Sequence, residues 1–398
     1  MPTKKRCFST VPALRRLNPE LLCHVLGKFP DYLTARKLSL PRHPAEDPMP
    51  YDAIRDVCME GDIPHELDDV LFHVSMLGNT TGWDKIQSEA AFQGLRLNFR
   101  PDGLTCADLA MKAWLHDWPR NKSLLEQSYA RAKIHGRSSY YYYPPTRNVL
   151  GKYKKPTDKQ LAAFRDRLSE YFASQGLGKG TNVVMYDYEK EIWFLVRYPG
   201  QVERHPSIDD EGQQTSHVFK PEEYDAIVYH KQYGDLRLNT NRKKDHSHYR
   251  VVFAELLLSS SNVFDSRAKI VQLDPLLGEC LHLFNCEDVE GLAEIVPVEI
   301  CFSSLAHPGV EHIWRAEKDC DLLQYHRDKK RLLTDTKAHS VRYAKFRYRV
   351  KDHTRKETVT VHAGNTMSYA RDGDSAVLEE WLRRRGFIKD SLGVLRDE

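Results

Sequence analysis

The chain has 398 residues, of which 41% are hydrophobic and 29% charged, and its formal net charge at pH 7 is only +3. A chain of this length normally holds two or three domains, and this composition supports a buried core, which excludes long disorder and a histone-like charge balance. The eight cysteines form no Cys-x-x-Cys pair, no segment approaches the ~18 consecutive apolar residues of a membrane span, and the N-terminus lacks a secretory signal. These features predict a cytoplasmic protein with free thiols and no membrane partner.

The first third of the chain, residues 1–136, is predicted to be mainly helical. Asn18 is a candidate N-cap for a helix over 18–29, whose apolar residues repeat at helical spacing. Thr105, with Asp108 three residues later, has the pattern of a capping box in front of another helix. These signals indicate a helical N-terminal region.

Residues 43–69 of this region are strongly acidic. The acidic residues are Glu46, Asp47, Asp52, Asp56, Glu60, Asp62, Glu66, Asp68 and Asp69, and Arg55 is the one arginine or lysine among them. Such a segment is usually a solvated face, and the alternative is a docking surface for a protein partner.

The middle of the chain, residues 137–260, changes to strand periodicity and is predicted to be an α+β unit. Four consecutive tyrosines and two prolines, at 140–145, indicate a strand and its end. A helix over 157–172 and two pairs of strands follow, with the polar stretch 203–216 expected to be a loop. Residues 249–258 fit either a helix or a strand.

Residues 261–398 are predicted to be a second α+β unit that ends in a β-hairpin and a helix. Apolar and basic residues alternate in "SVRYAKFRYRVK", which places them on opposite faces of a strand, and "ETVTVHA" is suited to pair with it. In the last helix, Glu379 and Glu380 stand four residues before Arg383 and Arg384, the spacing of intrahelical ion pairs. The predicted fold class is therefore α+β, with a helical N-terminal region followed by two sheet-containing units.

Two motifs that resemble ligand sites fail on spacing. In "GLGKGTN" a glycine separates the lysine from the threonine and a helix precedes the loop, so the order of a phosphate-binding loop is not met. Cys280, His282 and Cys286 lack the paired spacing of structural zinc sites. We therefore expect no metal site and no cofactor, and the sequence identifies no catalytic residue.

Basic residues concentrate in three stretches, 131–155, 237–250 and 327–351. Exposed Lys and Arg on one continuous surface neutralise phosphates, and aromatic rings beside them stack on unpaired bases. A strand with alternate basic residues presents charges about 6.6–6.8 Å apart, twice the strand rise. The residues assigned to a nucleic-acid-binding surface are Arg137, Tyr140, Tyr142, Arg147, Lys152, Lys154, Lys155, Arg242, Lys243, Lys244, Lys345, Arg347 and Arg349.

These observations favour a protein that binds DNA or RNA without a motor of its own, as a subunit of a DNA-processing or phage-defence complex. Two alternatives stay open. One is a metal-dependent nuclease, with His246, His248, Asp225 and Asp235 as its candidate residues. The other is a protein-interaction subunit whose basic stretches dock on an acidic partner surface and that binds no nucleic acid.

Overall fold

A computed structural model of the protein describes residues 5, 7–97, 103–118, 123–146, 153–208, 212–260, 262–277, 280–307, 309–317, 320–324, 339–351, 356–369 and 375–389. Arg147 and Lys152, two of the residues assigned to a nucleic-acid surface, lie outside the described residues. The chain divides into two compact units, Met1–Ile134 and His135–Glu398. None of the described helices is long and apolar enough to cross a membrane.

The first unit is helical, as its sequence predicts. Its helices are α1 (Val11–Leu14), α2 (Pro19–Leu26), α3 (Pro30–Ala35), α4 (Tyr51–Met59), α5 (His65–Leu77), α6 (Thr80–Phe92), α7 (Cys106–Asp117) and α8 (Leu124–His135). Asn18 accepts a hydrogen bond from the Leu21 amide at 3.1 Å, and Thr105 forms a reciprocal capping box with Asp108. Asp108 also accepts a bond from the Asn18 amide at 2.6 Å, which ties the starts of α2 and α7 together.

The second unit holds the strands and three further named helices. The strands are β1 (Ser139–Tyr143), β2 (Asn182–Asp187), β3 (Glu191–Pro199), β4 (Glu203–Ile208), β5 (Gln214–Phe219), β6 (Glu222–His230), β7 (Leu236–Asn239), β8 (Leu292–Ser304), β9 (Glu311–Arg315), β10 (His339–Val350), β11 (Glu357–His362) and β12 (Thr366–Ser368). The helices are α9 (Asp158–Ser174), α10 (His246–Leu257) and α11 (Ser375–Arg384). Among the described residues, ten strands form one antiparallel sheet in the order β2-β3-β6-β7-β1-β12-β11-β10-β8-β9, and β4 pairs with β5 separately.

The tyrosine strand β1 lies in the middle of this sheet. It pairs with β7 on one side and with β12 on the other, so strands from before and after residue 260 belong to one sheet. The α+β class, the β10–β11 hairpin and the last helix are confirmed. The boundary predicted at 260 runs through the sheet, and the division into 137–260 and 261–398 stays a prediction.

Helices pack on both faces of the sheet. Beside β3, β6 and β7, Phe164 of α9 packs on Phe194 of β3 with ring centroids 5.6 Å apart. In the other half, Phe346 of β10 packs on Trp381 of α11 at 5.6 Å. The strand register places Phe346 on the face of the sheet that points away from α9 and α10. The opposite face of β12, β11 and β10, which lies on the same side of the sheet as those helices, therefore carries other side chains.

Local structure differs from the sequence prediction at 203–216 and decides between the two alternatives that the sequence leaves open at 249–258. The stretch expected to be a loop at 203–216 contributes to the β4–β5 hairpin, whose side chains are mostly exposed and therefore show no apolar alternation. Residues 246–257 form helix α10, because tertiary burial of one face outweighs the strand preference of its valines. The stretch that follows Cys280 forms a short 3₁₀ helix, Leu281–Phe284.

Candidate functional site

The alternation predicted for β10 is present. Its apolar side chains Ala344, Phe346 and Tyr348 are buried. The three basic side chains assigned to phosphate contacts stand on the other face and are half-exposed: Lys345, Arg347 and Arg349.

Acidic residues of the neighbouring strand β8 lie beside these cations. Glu299 is directly opposite Lys345, and Glu294 is opposite Arg349, with a nitrogen–oxygen distance of 3.8 Å. Glu299 is also bound by Arg315 of β9 at 2.7 Å. Since Arg347 lies opposite an apolar residue of β8, positive charge exceeds negative charge on this part of the sheet.

The sheet register brings the tyrosine strand and the β10 cations to one face. Tyr141 of β1 is directly opposite Thr366 of β12, Thr366 is opposite His362 of β11, and His362 is opposite Tyr343 of β10. Directly paired residues of antiparallel strands point to the same face, and Tyr343 precedes Lys345 by two residues. The row crosses three strand spacings, about 14 Å.

This face is polar, and its side chains are at least partly exposed. We call it the open face. Its members are Ser139, Tyr141, Tyr343, Lys345, Arg347, Arg349, Thr358, Thr360, His362, Thr366 and Ser368.

A second basic stretch reaches the open face at the start of α10. The Lys243 ammonium nitrogen lies 5.5 Å from the centroid of the Tyr141 ring, and Lys243 and its neighbour Lys244 are exposed. Arg242 is instead bound to the buried carboxylate of Asp245 at 2.8 Å. The two lysines can therefore contact a phosphate, whereas the charge of Arg242 is already compensated.

Tyr140 and Tyr142, assigned above to the nucleic-acid surface, are completely buried, so neither ring is accessible to a base. They point away from the open face, and the Tyr142 ring lies 4.9 Å from the guanidinium carbon of Arg237. Strand alternation predicts two pairs of tyrosines on opposite faces, but four identical residues do not reveal which are exposed, and Tyr143, on the same face as Tyr141, is buried as well. The half-exposed ring of β1 is Tyr141.

The remaining assigned residues divide between structural and exposed positions. Arg137 is half-buried and donates hydrogen bonds to Asn239 and to the backbone oxygen of Tyr224, so it holds neighbouring strands together. Lys154 and Lys155 are exposed.

Three of the four candidate nuclease residues are bonded within the fold, and Nε2 of His248 is buried without a hydrogen-bond partner among the described residues. The ring nitrogens of buried His246 lie 2.7 and 2.8 Å from two hydroxyl oxygens, and the His248 ring stacks on a tyrosine at 3.9 Å. Burial raises the pKa of Asp225 to about 6, and both of its oxygens accept protein hydrogen bonds. Asp235 is paired with Arg237. None of the four belongs to the one group of three potential metal ligands found among the described residues.

The acidic residues at 43–69 lie on and around α4 and α5, and most are exposed. Asp52 and Asp56 contact Arg55, and Asp62 contacts Arg36. A solvated face explains this arrangement, and docking of a partner there stays a prediction.

A buried polar cluster that the sequence reasoning missed surrounds Arg237 on the face opposite the open face. Arg237 is in β7, Glu191 begins β3, His230 ends β6, and Glu379 lies on α11. Glu191 and His230 are directly opposite in the sheet. Arg237 is fully buried and contacts three carboxylates, those of Glu191, Asp235 and Glu379.

Hydrogen bonds satisfy these carboxylates. Arg237 Nη1 lies 2.7 Å from Glu191 and 2.7 Å from Glu379, its Nη2 lies 2.8 Å from Glu379, and its Nε lies 2.7 Å from Asp235. The other oxygen of Asp235 accepts from Arg383 at 3.1 Å. Although burial alone would raise the pKa of Asp235, the two guanidinium groups hold it far below its usual range.

A cavity of about 1020 Å³ opens above this cluster. We call it the α11 cavity. It is lined by His135, Tyr188, Glu189, Lys190, Glu191, Trp193, His230, Gln232, Tyr233, Asp288, Ser375, Ala376, Glu379, Glu380, Arg383, Arg384 and Arg385. Its size and its mixture of aromatic and polar walls are those of a small-molecule site.

His230 presents one ring nitrogen to the α11 cavity. The side chain is 5% exposed, and its Nδ1 accepts a hydrogen bond from the Tyr233 amide at 3.3 Å. Nε2 has no hydrogen-bond partner among the described residues. Burial, together with Arg237, lowers the pKa of His230 to about 4, so the ring is neutral at pH 7 and carries its proton on Nε2.

Glu191, His230 and Glu379 offer potential ligand atoms within 4.8 Å of one another, which raises the question of a metal ion. Two observations argue against one. The Arg237 guanidinium already bridges the two carboxylates, and a divalent ion would have to compete with that charge. The Nδ1 hydrogen bond leaves the proton on Nε2, where a metal needs a lone pair. Glu191, His230 and Glu379 therefore suit the guanidinium of Arg237 better than a metal ion.

No protein-family model matches the chain, and no curated protein matches it.

The Arg237 cluster had one sequence signal: an arginine between two leucines in "DLRLNT", within a segment predicted as a strand. Beyond the intrahelical pairing that their spacing predicts, Glu379 binds Arg237 and Arg383 binds Asp235. Glu380 and Arg384 do pair as predicted.

Proposed function

We propose that the protein binds single-stranded nucleic acid across the open face. The observation that carries the proposal is the row Tyr141–Thr366–His362–Tyr343, which aligns the tyrosine strand with the basic face of β10. Two stretches that the sequence separates by about two hundred residues thereby contribute to one surface.

The chemistry of the open face suits an unpaired strand. Tyr141, His362 and Tyr343 are partly exposed rings, on which bases of a single strand can stack, while a duplex hides its base faces. Serine and threonine hydroxyls between the rings can bond to sugar and phosphate oxygens. Lys243 lies beside Tyr141, and Lys345 stands two residues after Tyr343, so positive charge lies near both ends of a row that spans about 14 Å.

Fluorescence anisotropy with labelled oligothymidylate, oligouridylate and a DNA duplex, at several salt concentrations, tests the proposal. With about four cations in contact, log K should fall with log salt at a slope of about −3, and the duplex should bind more weakly. The triple variant Lys345→Ala, Arg347→Ala, Arg349→Ala should reduce the magnitude of that slope by about 2.

A matched control removes the same residue types from the exposed side of α9: Lys159→Ala, Arg165→Ala, Arg167→Ala. It should bind like the wild type. Equal losses in both triple variants would mean that net charge alone drives binding. Negligible binding of the wild type at low salt would leave the protein-interaction alternative, in which an acidic partner occupies the same cations. Membership of a DNA-processing or phage-defence complex stays a prediction from the sequence.

A further inference from the structure

The α11 cavity lies on the other side of the sheet from the open face. Ile192, Phe194 and Val196 of β3 belong to the core beneath α9 and α10, so Glu191 and Trp193 point the opposite way. A ligand of this cavity would therefore not touch the open face.

One wall of the α11 cavity is aromatic and layered. The rings of His135 and Trp193 stack with centroids 5.2 Å apart and planes 20° from parallel, and Tyr188 meets Trp193 edge-on at 6.4 Å. Because Trp193 is only 4% exposed, the half-exposed His135 ring stacked on it presents the flat π surface, which favours a planar ring over a branched aliphatic group.

The polar groups near this wall suit the edge of a heterocycle. His230 Nε2–H is a donor inside the cavity, on a side chain that is only 5% exposed. Gln232, two residues further along the chain, is exposed and lines the same cavity with both a donor and an acceptor. Glu191 and Glu379 are held by Arg237, so they do not act as free anions towards a ligand.

The cavity offers only modest positive charge for a phosphate, because exposed Glu189 lines it beside Lys190. Lys190 is exposed and forms no ion pair with the described carboxylates. Ser375 and Ala376, the first residues of the ten-residue helix α11, line the cavity, and the N-terminal end of a helix carries partial positive charge. Arg384 and Arg385 are already bound to Glu380 and Asp288 and add little.

We propose that the α11 cavity binds a nucleobase, stacked on the His135–Trp193 wall with an acceptor atom of the ring at His230 Nε2–H. The base can belong to a free mononucleotide or to a nucleotide of a strand, since both carry the same ring. The proposal does not depend on nucleic-acid binding at the open face, because the two sites share no residue.

Isothermal titration calorimetry with AMP, GMP, CMP and UMP tests the proposal directly. At least one of them should bind, its nucleoside should keep most of the affinity, and ribose 5-phosphate, which lacks the base, should not bind. No heat from any nucleotide at millimolar concentration would overturn the proposal. Equal binding of ribose 5-phosphate and AMP would also overturn it, because recognition would then rest on the phosphate.

The variant His135→Ala removes one layer of the wall and should weaken mononucleotide binding about tenfold, or about 1.4 kcal/mol. The matched control His205→Ala, in the exposed β4–β5 hairpin, should leave the affinity unchanged. Gln232→Ala tests the polar edge from an exposed position that does not endanger folding. Unchanged affinity in both His135→Ala and Gln232→Ala would place the binding elsewhere and overturn the assignment.

A competition experiment distinguishes a free nucleotide from a base within a strand as the natural ligand of the cavity. Displacement of the bound mononucleotide by oligothymidylate would identify a base within a strand, and simultaneous binding of both would identify a free nucleotide. Either result supports a base-binding cavity. The Lys345, Arg347, Arg349 triple variant should retain mononucleotide binding even where it loses the oligonucleotide, which separates this proposal from the open-face proposal.

Discussion

Arg237 and Arg347 both project from strands of the same ten-stranded sheet, yet their surroundings differ completely. Arg237 is fully buried and bridges three carboxylates from β3, α11 and the turn before β7. Arg347 is half-exposed and donates to the backbone oxygen of Cys320 at 3.1 Å. The difference shows that the cross-strand neighbours of a basic residue decide whether its charge is compensated within the fold.

The largest expected effect is loss of the buried guanidinium. Arg237→Met would leave Glu191, Asp235 and Glu379 close together without their shared cation, which should cost about 3–5 kcal/mol of unfolding free energy. Urea denaturation of the purified variant measures it. Arg347→Met is the matched control and should change stability by about 0.5 kcal/mol or less. Similar losses in both variants would contradict the comparison of the two arginines.

Acidification should lower the free energy of unfolding more through His230, on the face opposite the open face, than through residues of the open face. The pKa of His230 is about 4 in the folded protein and about 6.5 when unfolded, so its contribution to stability is complete above pH 6.5 and is lost as the pH falls towards 4. At pH 5 the loss is about 2 kcal/mol, since each pKa unit corresponds to about 1.4 kcal/mol. His230→Gln should lose correspondingly less stability than the wild type between pH 7 and pH 5.

His362 on the open face is the control for this pH series. Burial lowers its pKa too, but the side chain is half-exposed, so His362→Gln should change the pH dependence less than His230→Gln does. If wild type and His230→Gln lost the same free energy of unfolding between pH 7 and pH 5, His230 would accept its proton freely in the folded state, and the prediction would be wrong.

Neighbouring tyrosines of β1 provide a third test. The Tyr142 hydroxyl lies 3.0 Å from the Tyr369 hydroxyl in the network around Glu379, so Tyr142→Phe should cost about 1–2 kcal/mol. Tyr141 lies on the open face, and Tyr141→Phe should change stability by about 0.5 kcal/mol or less. Thermal unfolding of the two variants compares them directly. A larger loss for Tyr141→Phe would reverse the assignment of the two faces.

Much of this architecture follows from local sequence patterns. The capping box at Thr105, the helix that begins after Thr157, the apolar–basic alternation of β10 and the last helix are all where the sequence predicts them. Each of these signals involves residues only a few positions apart, and the physical preferences behind them are local.

The candidate sites depend on pairings that no local pattern contains. The open face requires β12 and β11 to stand between Tyr141 and Tyr343, and the Arg237 cluster requires α11 to lie over β7. Tyr140 and Tyr141 are identical in the sequence and differ only in which face the core covers. Register between distant strands is set by the whole pattern of burial, so the sequence predicts the strands and their hairpin partners but not the pairings between distant strands.

The smallest expected effect concerns the ion pair at the edge of the open face. Arg349 and Glu294 are both about one-third exposed, their closest nitrogen–oxygen distance is 3.8 Å, and Lys356 approaches the same carboxylate at 3.7 Å. Solvent screening and this competition should keep the coupling energy from an Arg349→Ala, Glu294→Ala double-mutant cycle below about 1 kcal/mol. The same cycle on Arg237→Met and Glu379→Gln should give a coupling energy several times larger, because both groups are desolvated and joined by two hydrogen bonds. A coupling above about 2 kcal/mol for Arg349 would mean that its guanidinium is committed to the fold, and the open face would lose a cation available to phosphate.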